Sequence, residues 1–219
     1  MQRFKVQIKG VSSLIMHRDN VGFAESLKAW QTNPENKGKS VSGDDRSPGW
    51  TWLGYVYHNG RIIGIPADNL MTMLREGGAR VMTGKGKGTF KRQTQSGIII
   101  TETIWPLIVG GKQLDWQPFA ELAAVEKFDD HLSMAQAGGF DLLIKRARVG
   151  QSKHVRVRPI FDDWSTSGTI TVTDDTLDLR TMQRILDCAG DYCGICDWRP
   201  SAPKSPGPFG RFEAKVEAA

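Results

Sequence analysis

The residues best suited to chemistry in this sequence are the cations of the acid-free segment KRARVGQSKHVRVR, residues 145–158. Its cationic side chains are Lys145, Arg146, Arg148, Lys153, Arg156 and Arg158, and His154 lies among them. Alternate side chains of an extended strand share one face, about 6.6 Å apart, close to the spacing of successive phosphates in a nucleic-acid strand. His154, Arg156 and Arg158 would then form a charged row opposite Val155 and Val157. The segment predicts contact with nucleic acid; the alternative is a merely solvated strand face, which usually also carries acids.

A second cluster of cations lies in the Gly/Lys loop, GKGKGTFKR, residues 84–92. Its cations are Lys85, Lys87, Lys91 and Arg92, and it contains no acid. No Gly-Lys is followed by Ser or Thr at the spacing of a Walker A loop, and we expect a strand, not a helix, to follow. Glycines allow close backbone approach to a phosphate, and Phe90 is a candidate for stacking on a base. The alternative is a flexible hairpin tip.

Polar residues follow the first predicted strand directly, at His17, Arg18 and Asp19. His17 and Arg18 are candidates for nucleic-acid contact. Asp19 is a candidate catalytic residue, but a turn start with Asp-Asn chemistry is favoured over a catalytic role. The cysteines Cys188, Cys193 and Cys196 have the spacing C-x4-C-x2-C, but no histidine lies near them in sequence. Small half-buried thiols are therefore favoured over a zinc site, and we expect no metal and no cofactor. No HExxH or GxSxG motif is present, so the sequence does not require an enzyme.

The composition is that of an ordinary globular protein: 219 residues, 39% hydrophobic, 24% charged, with a net charge of +5. No apolar run is long enough to cross a membrane, and the N-terminus reads as a strand instead of a signal peptide. Three cysteines do not make a disulfide scaffold, so a reducing cytoplasm is the expected location. The clustering of cations marks contact with a polyanion better than the net charge does.

Hydrophobic periodicity predicts an α+β fold of the ferredoxin-like or RNA-recognition type, an antiparallel sheet with two helices and long loop or hairpin insertions. We expect one domain over residues 1–219, with insertions at about 18–50 and 105–139. Helices are predicted near 23–30, from Pro66 to 78 and over 176–190. Strands are predicted at 3–10, 97–104, 140–149, 154–161, 168–173 and 212–218, with hairpins at 50–66 and 105–116. In the first hairpin, the alternating aromatics Trp50, Trp52, Tyr55 and Tyr57 favour a core face over a stacking surface.

Three short segments, in this order, resemble the RAMP superfamily of CRISPR-associated proteins. They are VSSLIMH (11–17) after the first strand, IGIPADNLMTMLREGGAR (63–80) and GICDWRPSAPKSPGPFGRFEAKVE (194–217). The likeness is greatest to the backbone subunits that polymerise along a guide RNA. Residues matching the first-helix motif are Pro66, Leu70, Leu74 and Arg75; those matching the glycine-rich loop are Gly207, Phe209, Gly210, Arg211 and Phe212. The chain departs from the pattern at Ala67-Asp68-Asn69 and at Asp197-Trp198-Arg199-Pro200.

The resemblance implies a subunit that binds single-stranded nucleic acid, RNA in preference, and assembles side by side along the strand as part of an antiviral ribonucleoprotein. The basic segment 145–158 would grip the guide, Arg199 and Arg211 would contact phosphates, and the glycine-rich loop at Gly210 would approach the backbone. Asp19 lies where some RNA-cleaving members carry a catalytic aspartate. Two alternatives remain: a phage-type single-stranded DNA-binding or annealing protein, and an endoribonuclease using His17, His154 or Asp19.

Overall fold

The computed structural model describes residues 1–39, 43–84, 86–149 and 152–219 and is a mixed α/β structure with antiparallel sheets. The strands are β1 (Gln2–Gly10), β2 (Leu14–Ile15), β3 (Gly64–Pro66), β4 (Ile98–Ile99), β5 (Ile104–Pro106), β6 (Ile108–Val109), β7 (Lys112–Gln113), β8 (Asp141–Val149), β9 (Ser152–Phe161), β10 (Trp164–Val172) and β11 (Phe212–Ala218). The α-helices are α1 (Val21–Thr32), α2 (Ala67–Gly78), α3 (Lys91–Ser96), α4 (Gln117–Ala120), α5 (Phe128–Ala137) and α6 (Leu179–Cys188). Shorter helical turns are Pro34–Asn36, Gly49–Tyr55, Glu121–Ala124 and Ala189–Cys193.

The described chain packs into two compact units. The sheet unit consists of Met1–Ile15, Ile63–Leu114 and Asp162–Ala219, and the hairpin unit of Met16–Ile62 and Asp115–Phe161. The Gly/Lys loop belongs to the first unit and the basic segment 145–158 to the second. Each unit therefore carries one of the two clusters of cations that the sequence singles out.

The sheet unit is built on an antiparallel sheet in which β1 lies between β11 and β10. The strand β10 also pairs with β4 and β6, and β7 extends from β6. Phe4, Val6 and Ile8 alternate along β1 and are almost fully buried, while the residues between them are exposed. Burying such a side chain stabilises the fold by about 1.5–3 kcal/mol. Burial along β1 therefore alternates with the same period of two residues that predicted a strand over residues 3–10, and that prediction is confirmed.

Two amphipathic helices of the sheet unit bury their apolar faces, as the apolar periodicity predicted, and α6 packs against β11. In α2 the buried residues include Leu70, Met73 and Leu74, and in α6 they are Met182, Ile185 and Leu186. The side chain of Asp178 accepts a hydrogen bond from the Thr181 N–H and so caps α6. At Gly77 a Cβ atom would lie 2.6 Å from the Ile185 carbonyl oxygen, so the absence of a side chain there lets α2 approach α6.

The hairpin unit contains α1, the 3-10 helix Gly49–Tyr55, α4, α5 and the basic hairpin formed by β8 and β9. Its centre is Trp52, which is fully buried and makes edge contacts with Phe119 and Phe140. The Trp52 Nε1–H donates to His131 Nδ1 at 3.1 Å, and His131 Nε2 lies 2.7 Å from the Val125 carbonyl oxygen. The neutral imidazole satisfies both contacts, because it accepts at Nδ1 and donates at Nε2.

Three predictions about local structure are wrong. Residues 50–55 form a 3-10 helix instead of the first arm of a hairpin. Trp50 and Trp52 are core residues, as favoured. However, their segment is buried on every side, so the alternation of its aromatic residues does not distinguish a buried face from an exposed one. The Gly/Lys loop is followed by helix α3, not by a strand. The strand predicted at 97–104 is limited to β4 and to the start of β5.

Candidate nucleic-acid interface

The basic hairpin places its cations on two long antiparallel strands. Lys145, Arg146 and Arg148 are all exposed on β8. In the register Lys145 lies opposite Arg156, so two cations occupy facing positions on one side of the ribbon. Like charges directly opposite each other destabilise a strand pair. The Asp45 carboxylate, which pairs with Arg156 at 3.0 Å, offsets this cost. Lys153 lies opposite Arg148 in the backbone register, and residues 150 and 151 at the turn lie outside the described residues.

The row predicted on β9 is only half exposed, because a neighbouring segment covers it. Gly43 and Asp45 run alongside β9: the Val155 N–H donates to the Gly43 carbonyl at 2.7 Å, and the Asp45 N–H donates to the Val155 carbonyl at 3.0 Å. A Cβ atom at Gly43 would collide with the His154 ring. His154, Arg156 and Arg158 are consequently of intermediate burial, not an open row of charge.

Arg156 is held by a buried acid. The Asp45 carboxylate accepts hydrogen bonds from Arg156 Nη1 at 3.0 Å, from the Tyr55 hydroxyl at 3.1 Å and from the Val157 N–H at 3.2 Å. The exposed fractions of the Arg156 and Asp45 side chains are 30% and 6%. Burial, together with the negative charge of Asp45, raises the pKa of Tyr55 to about 12, so this hydroxyl remains a donor at neutral pH. Arg156 therefore has a structural partner, which the sequence did not reveal.

The residues after the first strand lie at the surface of the hairpin unit. The His17 ring is exposed and touches the Tyr55 ring edge-on, with centroids 4.6 Å apart. The Tyr57 hydroxyl donates to the His17 carbonyl, and the Arg18 N–H donates to the Tyr55 carbonyl at 2.9 Å. Asp19 is exposed and makes no ion pair with a described residue. Among the described residues no group of acids, histidines and cysteines is arranged to hold a metal ion.

The Gly/Lys loop forms the tip of a short hairpin in the sheet unit. The Thr83 N–H donates to the Gly88 carbonyl at 2.9 Å, and the Phe90 N–H donates to the Val81 carbonyl at 3.1 Å. Lys87, Lys91 and Arg92 are exposed, whereas Lys85 lies outside the described residues. Phe90 is only 7% exposed, so the prediction that it offers a stacking surface is wrong. The residue begins helix α3 and packs inward instead.

Two residues of the C-terminal loop that were predicted to contact nucleic acid, Arg199 and Gly210, make close contacts within the fold. The Arg199 guanidinium pairs with the Glu76 carboxylate at 2.9 Å and its Nε donates to the Ser201 hydroxyl at 3.0 Å. Gly210 is buried with φ +72°, and a Cβ there would collide with the Ile195 carbonyl oxygen. The close approach that this glycine permits is therefore to the protein's own backbone.

Arg211 remains at the surface of the same loop, where its guanidinium donates to the Asp191 carbonyl. The structure brings a further pair to this place that sequence reasoning missed. The Arg80 guanidinium lies over the Tyr192 ring, 5.8 Å from its centroid, and Tyr192 is 58% exposed. The only signal in the sequence was a tyrosine beside an acid at the end of an amphipathic helix.

Two cysteines of the same region, Cys193 and Cys196, are inert thiols. Cys193 is fully buried and Cys196 is 6% exposed. Burial raises the pKa of both thiols, that of Cys196 to about 12, and the Asn69 side chain donates to the Cys196 sulfur at 3.5 Å. Protonated, buried thiols are poor nucleophiles and poor metal ligands.

Comparison with protein-family models finds no match to this chain, and comparison with curated proteins finds none either. No helix in the described part of the chain has the length and apolar character needed to cross a membrane.

Proposed function

We propose that this chain binds single-stranded nucleic acid, with RNA preferred, and that copies assemble side by side along the strand as backbone subunits of a RAMP-type, CRISPR-like ribonucleoprotein. The observation that carries the proposal is the basic hairpin. Residues 142–161 contain no acid, and three cations of β8 are exposed within four consecutive positions.

A basic strand surface that is only solvated, and binds no ligand, is expected to carry a different pattern of charges. Natural edge strands do use cations to prevent pairing with other chains, so exposed lysines alone do not argue for a ligand. However, surface strands that serve only this purpose usually mix both signs of charge. The exposed cations Lys87, Lys91 and Arg92 belong to a second segment without acids, residues 84–92, on the sheet unit. Two such basic segments in one chain support contact with an extended polyanion.

The strand order of the sheet unit supports the ferredoxin-like part of the proposal. Its order is β11-β1-β10 with β4 on the far side of β10, and every pair is antiparallel. In sequence α2 lies between β1 and β4, and α6 lies between β10 and β11. A ferredoxin-like βαββαβ domain has the first and third strands in the middle, flanked by the fourth and the second. We infer this arrangement for the sheet unit, with β4 as a much shortened second strand.

The experiment that tests binding uses a fluorescently labelled 20-nucleotide RNA, the DNA of the same sequence, and anisotropy at 50 mM salt. We expect Arg146→Ala to weaken RNA binding about three-fold or more, the effect of losing one exposed ion pair of about 0.6–1 kcal/mol. The matched control is Arg61→Ala, which removes an exposed arginine from the same unit, outside the basic hairpin.

Three outcomes decide the proposal. Absence of binding to either oligonucleotide would overturn it, and so would equal losses in Arg146→Ala and Arg61→Ala. Tighter binding of the DNA would transfer the protein to the class of single-stranded DNA-binding or annealing proteins, because only RNA offers 2′-hydroxyls. For assembly, sedimentation with RNAs of 20, 40 and 60 nucleotides should give particles whose mass rises in steps with RNA length.

A further inference from the structure

Tyr192 is the one exposed aromatic residue in the described part of the chain, with an exposed fraction of 58%. The other aromatic rings, such as those of Trp52 and Trp105, are buried or half-buried. Single exposed apolar side chains are common on protein surfaces and need no ligand to explain them. What distinguishes Tyr192 is the arrangement of the groups around it.

The backbone that carries Tyr192 is fixed from both sides. A Cβ at Gly190 would collide with the Phe212 carbonyl oxygen, so the turn packs directly against β11. Cys193 is fully buried, and its carbonyl accepts hydrogen bonds from the Ser201 N–H at 3.1 Å and the Ser201 hydroxyl at 2.9 Å. The ring is therefore an exposed group on a rigid base. Such a group loses little conformational entropy when a ligand stacks on it.

Two guanidinium groups lie at this turn. Arg80 stands over the Tyr192 ring at 5.8 Å, a cation–π geometry. Arg211 donates to the carbonyl of Asp191, the residue before Tyr192. An aromatic ring flanked by cations is the arrangement that single-stranded nucleic-acid-binding proteins use: the base stacks on the ring, and the cations meet the adjacent phosphates.

The turn also connects to the Gly/Lys loop. Arg80 immediately precedes Val81, whose carbonyl accepts from the Phe90 N–H, so Lys91 begins helix α3 beside the end of α2. The backbone positions of Arg80 and Lys91 therefore lie close together in the sheet unit. For a nucleic acid whose base stacks on Tyr192, Lys91 is a further candidate partner of a phosphate.

From these contacts the structure assigns Tyr192, with Arg80 and Arg211, as a nucleobase-stacking site for single-stranded nucleic acid. The assignment rests on the proposed function, since it names the group that meets a base on the same ligand. It adds a stacking contact, through which binding depends on the bases as well as on the phosphates. The aromatic group that the Gly/Lys loop was expected to supply through Phe90 is supplied instead by Tyr192.

The test compares two decamers, one of uridines and one with the same backbone but abasic sugars, by competition anisotropy. The variants are Tyr192→Ala, Tyr192→Phe and, as a matched exposed cation of the sheet unit, Arg184→Ala. We expect Tyr192→Ala to weaken binding of the uridine decamer about ten-fold, within the usual range for a base on an aromatic side chain. Binding of the abasic decamer should be unchanged, and Tyr192→Phe should bind both decamers like the natural protein.

Irradiation with a decamer containing one 5-iodouridine, followed by mass spectrometry, gives an independent readout. A cross-link to Tyr192 is expected. If the natural protein binds but Tyr192→Ala has no effect, or weakens both decamers equally, the stacking site is refuted while the proposed function stands. In that case the tyrosine and Arg80 would be better explained as a protein contact, since both residue types are common at interface hot spots. If the natural protein binds neither decamer, the proposed function fails and the stacking site fails with it.

Discussion

We expect the loss of the buried Asp45 carboxylate to destabilise the protein. This carboxylate accepts three hydrogen bonds, from Arg156, Tyr55 and the Val157 N–H, and its side chain is only 6% exposed. Asp45→Ala leaves the buried amide without its acceptor, which costs about 1–3 kcal/mol. It also leaves the Arg156 guanidinium without its counter-ion. Because this guanidinium is 30% exposed and water can reach it, the second cost is below the ~3–5 kcal/mol of a fully buried pair.

We therefore expect Asp45→Ala to lower the free energy of unfolding by about 2–4 kcal/mol. Arg156→Ala should cost a similar amount, since it leaves a buried carboxylate with neutral donors only. In the double variant no charge remains without its partner. The two effects should therefore fall short of additivity by about 1–2 kcal/mol.

The assay is equilibrium unfolding in urea at pH 7, followed by circular dichroism, with the four proteins of the double-mutant cycle. Asp44→Ala is the matched control, because Asp44 is the neighbouring acid and pairs at 2.6 Å with Arg46; the exposed fractions of the Asp44 and Arg46 side chains are 12% and 48%. Because water reaches this pair from the Arg46 side, it contributes about 1 kcal/mol, less than a fully buried pair. Additivity within about 0.3 kcal/mol, or a loss in Asp45→Ala no larger than in Asp44→Ala, would refute the structural role of the pair.

The remaining predictions concern pH, thiols and backbone geometry. Burial lowers the pKa of His131 below its ordinary 6.5, so the unfolded chain takes up the proton first as pH falls. The free energy of unfolding should therefore fall as the pH drops below 6.5. The urea midpoint should be lower at pH 5 than at pH 7, and this difference should be smaller in His131→Gln. A thiol reagent at pH 8 should label Cys188 before Cys193 and Cys196, which react only after unfolding; mass spectrometry of the labelled peptides checks this. Gly210→Ala should lower the thermal midpoint by several degrees because of the collision with the Ile195 carbonyl, whereas Gly86→Ala, at an open loop tip, should change it far less.

The sequence predicted those elements of the fold whose pattern has one buried face. The strand β1 and the helices α2 and α6 each alternate between core and solvent, so period and burial coincide. The segment Gly49–Tyr55 has no exposed face, and its aromatic alternation had no structural meaning. The short helix α3 follows a glycine-rich tip without a capping side chain, so no local signal announced it.

For the candidate site, the positions of the cations were visible in the sequence but their partners were not. Arg156 meets an acid 111 residues away and Arg199 one 123 residues away, and only the tertiary fold brings these groups together. The same holds for the pairing of Arg80 with Tyr192. A count of cations in the sequence therefore overestimates the positive charge available to a ligand, because some of these cations already form ion pairs within the protein.

This distinction predicts the salt dependence of binding. Each phosphate neutralised on a single strand contributes about −0.7 to the slope of log K against log salt. Exposed cations that can meet phosphates include Arg146 on the basic hairpin and Lys87, Lys91 and Arg92 on the Gly/Lys loop and its helix. If these four meet phosphates, the slope should be about −3, and Arg146→Ala should make it shallower by about 0.7. Arg199→Ala should leave the slope unchanged, because its charge is already paired with Glu76. A slope near zero for the natural protein, or an equal change of slope in both variants, would show that the exposed cations are a solvated surface and not a phosphate grip.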